Sequence, residues 1–88
     1  MAPYKVVLDG KAANRDLPAI PEVNRRQILR AIHERLTVDP MGLGKPLRYG
    51  LTGYRRLRVG DYRVGYTVDG DTVTVAHIEL RRDSYKKW

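Results

Sequence analysis

Cysteine is absent from the 88 residues. That removes disulfide bonds and thiolate metal sites from the chain's chemistry and permits a reducing, cytoplasmic setting. No apolar run approaches the roughly 18 residues that a membrane span needs, so no membrane partner is expected. The start, Met1-Ala2-Pro3-Tyr4-Lys5, lacks a basic stretch followed by a long apolar one, and no signal peptide is expected. Internal repeats, low-complexity stretches and linkers are missing too. His, Asp and Glu nowhere cluster at metal-ligand spacing, so neither a metal nor another cofactor is expected. Gly42-Leu43-Gly44-Lys45 has a superficial likeness to a phosphate loop, but it follows a helical pattern and lacks the required length and Ser/Thr.

What is present suits one modest core. Apolar residues make up 42% of the chain, enough for a single globular domain over residues 1–88. The net charge is +7, with a sequence pI near 10.1. It is unevenly spread. Residues 1–44 carry seven Lys/Arg against five Asp/Glu, whereas residues 45–88 carry ten against five. Such a field attracts phosphate polymers through counterion release, so nucleic acid or an acidic protein heads the list of partners. The plain alternative is a charged surface that keeps the chain soluble.

Tyr4 to Leu8 is short and β-branched and is closed by Asp9-Gly10, which predicts a first strand. Lys11 to Leu17 suits a short helix stopped by Pro18. Pro21 and Glu22 favour a helix start, and Ile28, Leu29, Ile32 and Leu36 recur at helical spacing among charged residues. Asp39-Pro40 and the glycines at 42 and 44 end that helix, and residues 40–53 read as a connection. Three strands follow, Gly53 to Val59, Tyr62 to Val68 and Thr72 to Leu80, joined by turns at Gly60-Asp61 and Asp69-Gly70. The last has apolar residues at both parities and is expected to be central. The fold expected is α+β, with two N-terminal helices on one face of a four-stranded, mainly antiparallel sheet in the order β-α-α-β-β-β.

Two helices on one face leave the other uncovered. Along a strand side chains alternate, so Arg56 and Arg58 share a face with Tyr54, while Leu57 and Val59 point the other way. On the next strand Arg63 is out of step with Tyr62, Val64, Tyr66 and Val68. If the aliphatic set faces the helices, Arg56, Arg58 and Arg63 converge on the open face, where solvent or a phosphate is expected to meet each of them. Surface ion pairs are the ordinary alternative for these arginines. Tyr62 and Tyr66 read as core or core rim, His33 as a solvated helix residue and His77 as a packed sheet residue.

Gly53-Tyr54-Arg55-Arg56-Leu57-Arg58-Val59-Gly60-Asp61-Tyr62-Arg63-Val64-Gly65-Tyr66 resembles the central hairpin of the RelE/ParE toxin superfamily. Leu80-Arg81-Arg82-Asp83-Ser84-Tyr85 resembles the Arg-rich closing motif of its RelE branch, and the lead-in Lys45-Pro46-Leu47-Arg48 fits as well. The resemblance implies a metal-independent endoribonuclease that cuts messenger RNA in the ribosomal A site, the ribose 2′-hydroxyl attacking its adjacent phosphate. By position it implies catalytic roles for Arg56, Arg63, Arg81 and Tyr85, and RNA binding by Arg48, Arg58, Arg82, Lys86 and Lys87. Tail anchoring is the alternative for Tyr85, as it is for Trp88.

Some members carry a lysine pair on the hairpin's first strand, one lysine serving as general base, where this chain has Tyr54 and Arg56. A guanidinium keeps its proton below about pH 12, so Arg56 suits a clamp rather than a base. The proton acceptor stays open among His77, Lys86 and Lys87. The resemblance further implies a RelB-like antitoxin partner in a hetero-oligomer, whose acidic, partly disordered segment masks the basic groove. On the same fold the alternatives are a ParE-type inhibitor of DNA gyrase and a catalytically silent RNA-binding module.

Overall fold

The computed structural model describes residues 4–43, 45–46 and 54–80. Its sheet has the strand order β1-β5-β4-β3-β2, with β1 Lys5–Leu8, β2 Lys45–Pro46, β3 Tyr54–Val59, β4 Tyr62–Asp69 and β5 Thr72–Leu80. Neighbours are antiparallel except β1, which lies parallel to β5 with Val6 opposite Val73 and Leu8 opposite Val75. Four of these strands are the expected ones. The two-residue β2 is an addition at the edge, inside a segment whose sequence reads only as a connection. That segment also opens with a single helical turn, α2, Pro40–Leu43.

Both β-turns contain two residues, Gly60-Asp61 and Gly70-Asp71, and each begins on a glycine in the left-handed region, at φ of 58° and 63°. Only glycine takes that conformation without strain, so these positions fix where the strands reverse. The second turn starts one residue later than the Asp69-Gly70 signal suggests, because Asp69 is still paired with Thr72.

Helical segments cover one face of the sheet. Ala12–Asp16 runs into a tight turn at Leu17–Ala19, and α1, Glu22–Ala31, continues through Ile32–Leu36. Ala12, Leu17, Ile20, Ile28, Ala31, Ile32 and Leu36 pack against Leu57, Val59, Val64, Tyr66, Val73, Val75 and Ile78 in a single core cluster. Leu29 departs from the amphipathic reading and is 39% exposed. Ala31 takes its place in the seam, because the buried stripe runs along 28, 31, 32 and 36 and position 29 lies on its flank.

The apolar residues at both parities of β5 have a geometric cause. Gly65 pairs with His77 but Tyr66 pairs with Val75, so Ala76 has no opposite number on β4. This bulge reverses the alternation. Val73 and Val75 before it, and Ile78 after it, all point to the helices. The strand is indeed central, but the bulge, not two-sided burial, writes the pattern.

Two buried polar contacts tie the layers together. Beyond Val75, β5 outruns β1, and the Asp16 carboxylate accepts the Ile78 N–H at 2.9 Å where a neighbouring strand would have. At the other edge the Tyr66 hydroxyl, fully buried, donates to the Pro40 carbonyl at 2.6 Å, and Arg55 donates to the Met41 carbonyl at 2.5 Å. These bonds hold α2 on the sheet. Burial pushes the Tyr66 phenol above its usual pKa, partly opposed by the hydrogen bond and charge of Arg55, while Asp39 adds to the rise.

Tyr66→Phe leaves the Pro40 carbonyl without its donor and should cost about 1–2 kcal/mol in a urea unfolding titration at neutral pH. The unfolded phenol loses its proton near pH 10, before the folded one does, so stability falls as pH rises from there through the raised folded value. The part of the alkaline loss due to this phenol should be missing in Tyr66→Phe.

Candidate functional site

The face away from the helices is built from rows of directly opposed residues. In one row Arg58 of β3 stands opposite Arg63 of β4, which stands opposite Glu79 of β5. In the next, Lys45, Arg56, Gly65 and His77 follow one another across four strands. A third row holds Tyr54, Thr67 and Thr74. Opposed residues on one face have β-carbons only about 4.5–5.5 Å apart, so the three arginines form one cationic surface. The alternation in the sequence anticipates this grouping of Arg56, Arg58 and Arg63.

Their exposures differ. Arg58 is exposed, Arg56 is half-buried and Arg63 is buried at 8%. The expectation that open solvent meets Arg63 is therefore corrected. A buried guanidinium keeps its charge and needs polar company, and Glu79 opposite it brings a carboxylate into the row. Arg58 and Arg63 face each other as like charges, an arrangement that is unfavourable alone and is relieved by an anion.

His77 is not simply a packed sheet residue. It is half-buried on the arginine face, with its ring centroid 6.4 Å from that of Tyr54 on β3. Gly65 on β4 contributes no side chain, leaving a gap in the row, a slot that neighbouring groups cover, since Gly65 is buried. A glycine inside a strand is the sequence signal that marks such a gap, and the register that brings His77 opposite it depends on the bulge.

Arg55 and Asp16, neither singled out in the sequence, serve the scaffold rather than this face. Arg48, Arg81, Arg82, Tyr85, Lys86 and Lys87 lie outside the described residues. A separate cavity of about 500 Å³ opens where α1 meets the β3–β4 turn, and Arg30, Glu34, Arg35 and Arg58 are among its lining residues. Arg58 thus borders both surfaces. Among the described residues no helix is long and apolar enough to cross a membrane.

The family model for the ParE toxin of type II toxin–antitoxin systems (parDE) matches residues 10–85. The chain belongs to the RelE/ParE toxin superfamily. Toxin RelE of Mycobacterium tuberculosis is 40% identical over 86 residues, spanning 96% of this chain and 88% of the relative. A RelBE2 toxin–antitoxin complex from the same species contains a chain that superposes with a TM-score of 0.84 at 32% identity, covering 90% of this chain and 99% of the other. A RelB–RelE complex from Methanococcus jannaschii gives a TM-score of 0.73 at 27% identity, covering 93% and 98%. The RelE/ParE fold accounts for the layering: among the described residues, one helical layer covers the core face and no helix lies on the arginine face.

If the arginine face holds phosphates, Arg58→Ala should weaken single-stranded RNA binding and flatten the plot of log affinity against log salt by about 0.7. Arg15→Ala, on the helical side, should leave the slope unchanged. Fluorescence anisotropy across a salt series measures both.

Proposed function

We propose that this chain is the toxin of a type II toxin–antitoxin pair, a single-domain, metal-independent endoribonuclease that cleaves messenger RNA in the ribosomal A site and so halts translation in the cytoplasm. The observation that carries the reading is the cationic face formed by Arg56, Arg58 and Arg63 at the end of the sheet where β5 finishes. In sequence the Arg81-Arg82 pair follows Leu80 at once. Identity of 40% to a toxin named RelE supports the same branch.

Cleavage by the neighbouring 2′-hydroxyl builds negative charge on a crowded phosphorus. Guanidinium groups held before the reaction starts stabilise that charge without rearranging. Arg63, set in the sheet and buried, is the most firmly positioned of them, and Arg56 flanks the slot over Gly65. Arg81 supplies a further cation, Tyr85 orients the nucleotide, and Arg48, Arg58, Arg82, Lys86 and Lys87 hold the backbone on either side. Arginine is permanently charged, so this clamp works across the physiological pH range.

A ParE-type gyrase inhibitor is the second reading, favoured by the ParE description of the matching family model. An in vitro translation reaction with mapping of message 5′ ends separates the two. The nuclease reading requires new ends within the reading frame, and Arg81→Ala should lower their rate of formation by at least about tenfold. Intact messages together with blocked supercoiling by stoichiometric protein would replace it with the gyrase reading.

A free cytoplasmic nuclease is toxic to its host, and the similar chains in the RelBE2 and RelB–RelE complexes have antitoxin partners. Co-expression with the adjacent reading frame should yield a stable complex in size-exclusion chromatography. Recovery of this chain alone would count against a partner encoded there.

A further inference from the structure

The arginine face lacks an assigned proton acceptor, and its guanidinium groups cannot serve as one. Near the slot, the other titratable side chains among the described residues are Tyr54, His77 and Glu79. Glu79 stands opposite Arg63, in the row whose like charges it balances. Tyr54 carries a phenol, whose neutral form is a poor proton acceptor. His77 stands opposite Gly65, with Arg56 on the strand beyond. Two strand spacings, about 10 Å, separate the backbones of Arg56 and His77. The Ala76 bulge turns His77 to this face, and without it the alternation from Val73 and Val75 would still leave 77 pointing to the core. His33, by contrast, is exposed on the helical layer, on the other side of the sheet.

We infer that His77 is the acid–base residue of this site, taking the proton from the attacking 2′-hydroxyl. The inference rests on the endoribonuclease reading above and assigns the part of that reaction which the arginines cannot perform. Imidazole accepts the 2′-hydroxyl proton, the 2′-oxygen forms a bond to phosphorus, and the bond from phosphorus to the 5′-oxygen breaks. The 5′-oxygen leaves with a proton from water, and imidazolium returns its proton to the hydroxide so formed. The products are a 2′,3′-cyclic phosphate and a 5′-hydroxyl. The groups facing His77 are Tyr54 and Arg56 from β3, Arg63 from β4 and Glu79 on its own strand.

Single-turnover cleavage on programmed ribosomes tests this with wild type, His77→Gln, His77→Ala and Glu79→Gln. The wild-type rate should fall as the solution is acidified through the window of about pH 5–8 in which imidazole changes charge. His77→Gln should be at least about a hundredfold slower and lose that inflection. Added imidazole should restore part of the rate to His77→Ala, and circular dichroism together with unchanged ribosome binding should show the variants folded. Cleavage by His77→Gln within threefold of wild type, with the inflection kept, overturns the assignment. So does loss of the inflection in Glu79→Gln alone. A wild type that leaves messages whole overturns the nuclease reading, and the role of His77 with it.

Discussion

Among the described residues helices cover the sheet on one side only, and the cost of burying an uncompensated guanidinium decides which side. Three arginines within eight residues of β3 and β4 cannot share the layer beneath α1 with Ile28, Ile32 and Leu36, where nothing polar balances them. The strand alternation therefore sorts the chain. Leu57, Val59, Val64 and Tyr66 go to the core, and Arg56, Arg58 and Arg63 go to the opposite face. Core formation and the assembly of the cationic surface are one event, because a slip of one residue in the β3–β4 register would exchange the two sets.

The central strand pair then shapes that surface. Gly65 leaves a gap, and the bulge in β5 sets His77 across it from Arg56. Had the ladder continued without the bulge, Ala76 would stand opposite Gly65 and His77 would turn to the core. Asp16 fixes the far half of β5 after β1 has ended, accepting the Ile78 N–H one residue past His77. A carboxylate on the helical layer thus steadies the backbone that carries a residue of the opposite face.

Sequence reading works here wherever a local rule acts alone. Alternation is such a rule, and it groups Arg56, Arg58 and Arg63. Helical spacing finds Ile28, Ile32 and Leu36, and Gly60-Asp61 marks the first turn, whereas Asp69-Gly70 puts the second one residue early. Reading fails where a second element decides. Nothing local says that Ala76 is unpaired, so His77 reads as an ordinary strand residue. Leu29 fits the helical period yet sits on the flank of the seam, where Ala31 packs instead. The burial of Arg63 is likewise invisible, since its parity gives a face but not how much of that face is covered. The anchoring of α2 by Tyr66 and Arg55 spans 26 and 14 residues of sequence, beyond the reach of any pattern. Arg48, Arg81, Arg82, Tyr85, Lys86 and Lys87 rest on the motif likeness and on the proposed chemistry.

Arginine in place of lysine on β3 changes the division of labour in such a site. A lysine near neighbouring cations can lose its proton and act as a base, so clamp and base can be one residue. The guanidinium group is not a usable proton acceptor, which makes Arg56 and Arg58 steadier clamps and removes them from proton transfer. The work of the proton then falls to a group whose charge can change near neutrality, and the sheet brings one such side chain to the edge of the slot. The like charges of Arg58 and Arg63 stand ready for the same event. Their repulsion is moderated by Glu79 alongside, and an anion seated between them would relieve it further. A cationic surface of this kind is stabilised by the anion it holds, so under the proposed reading anything acidic that fits it would compete directly with RNA.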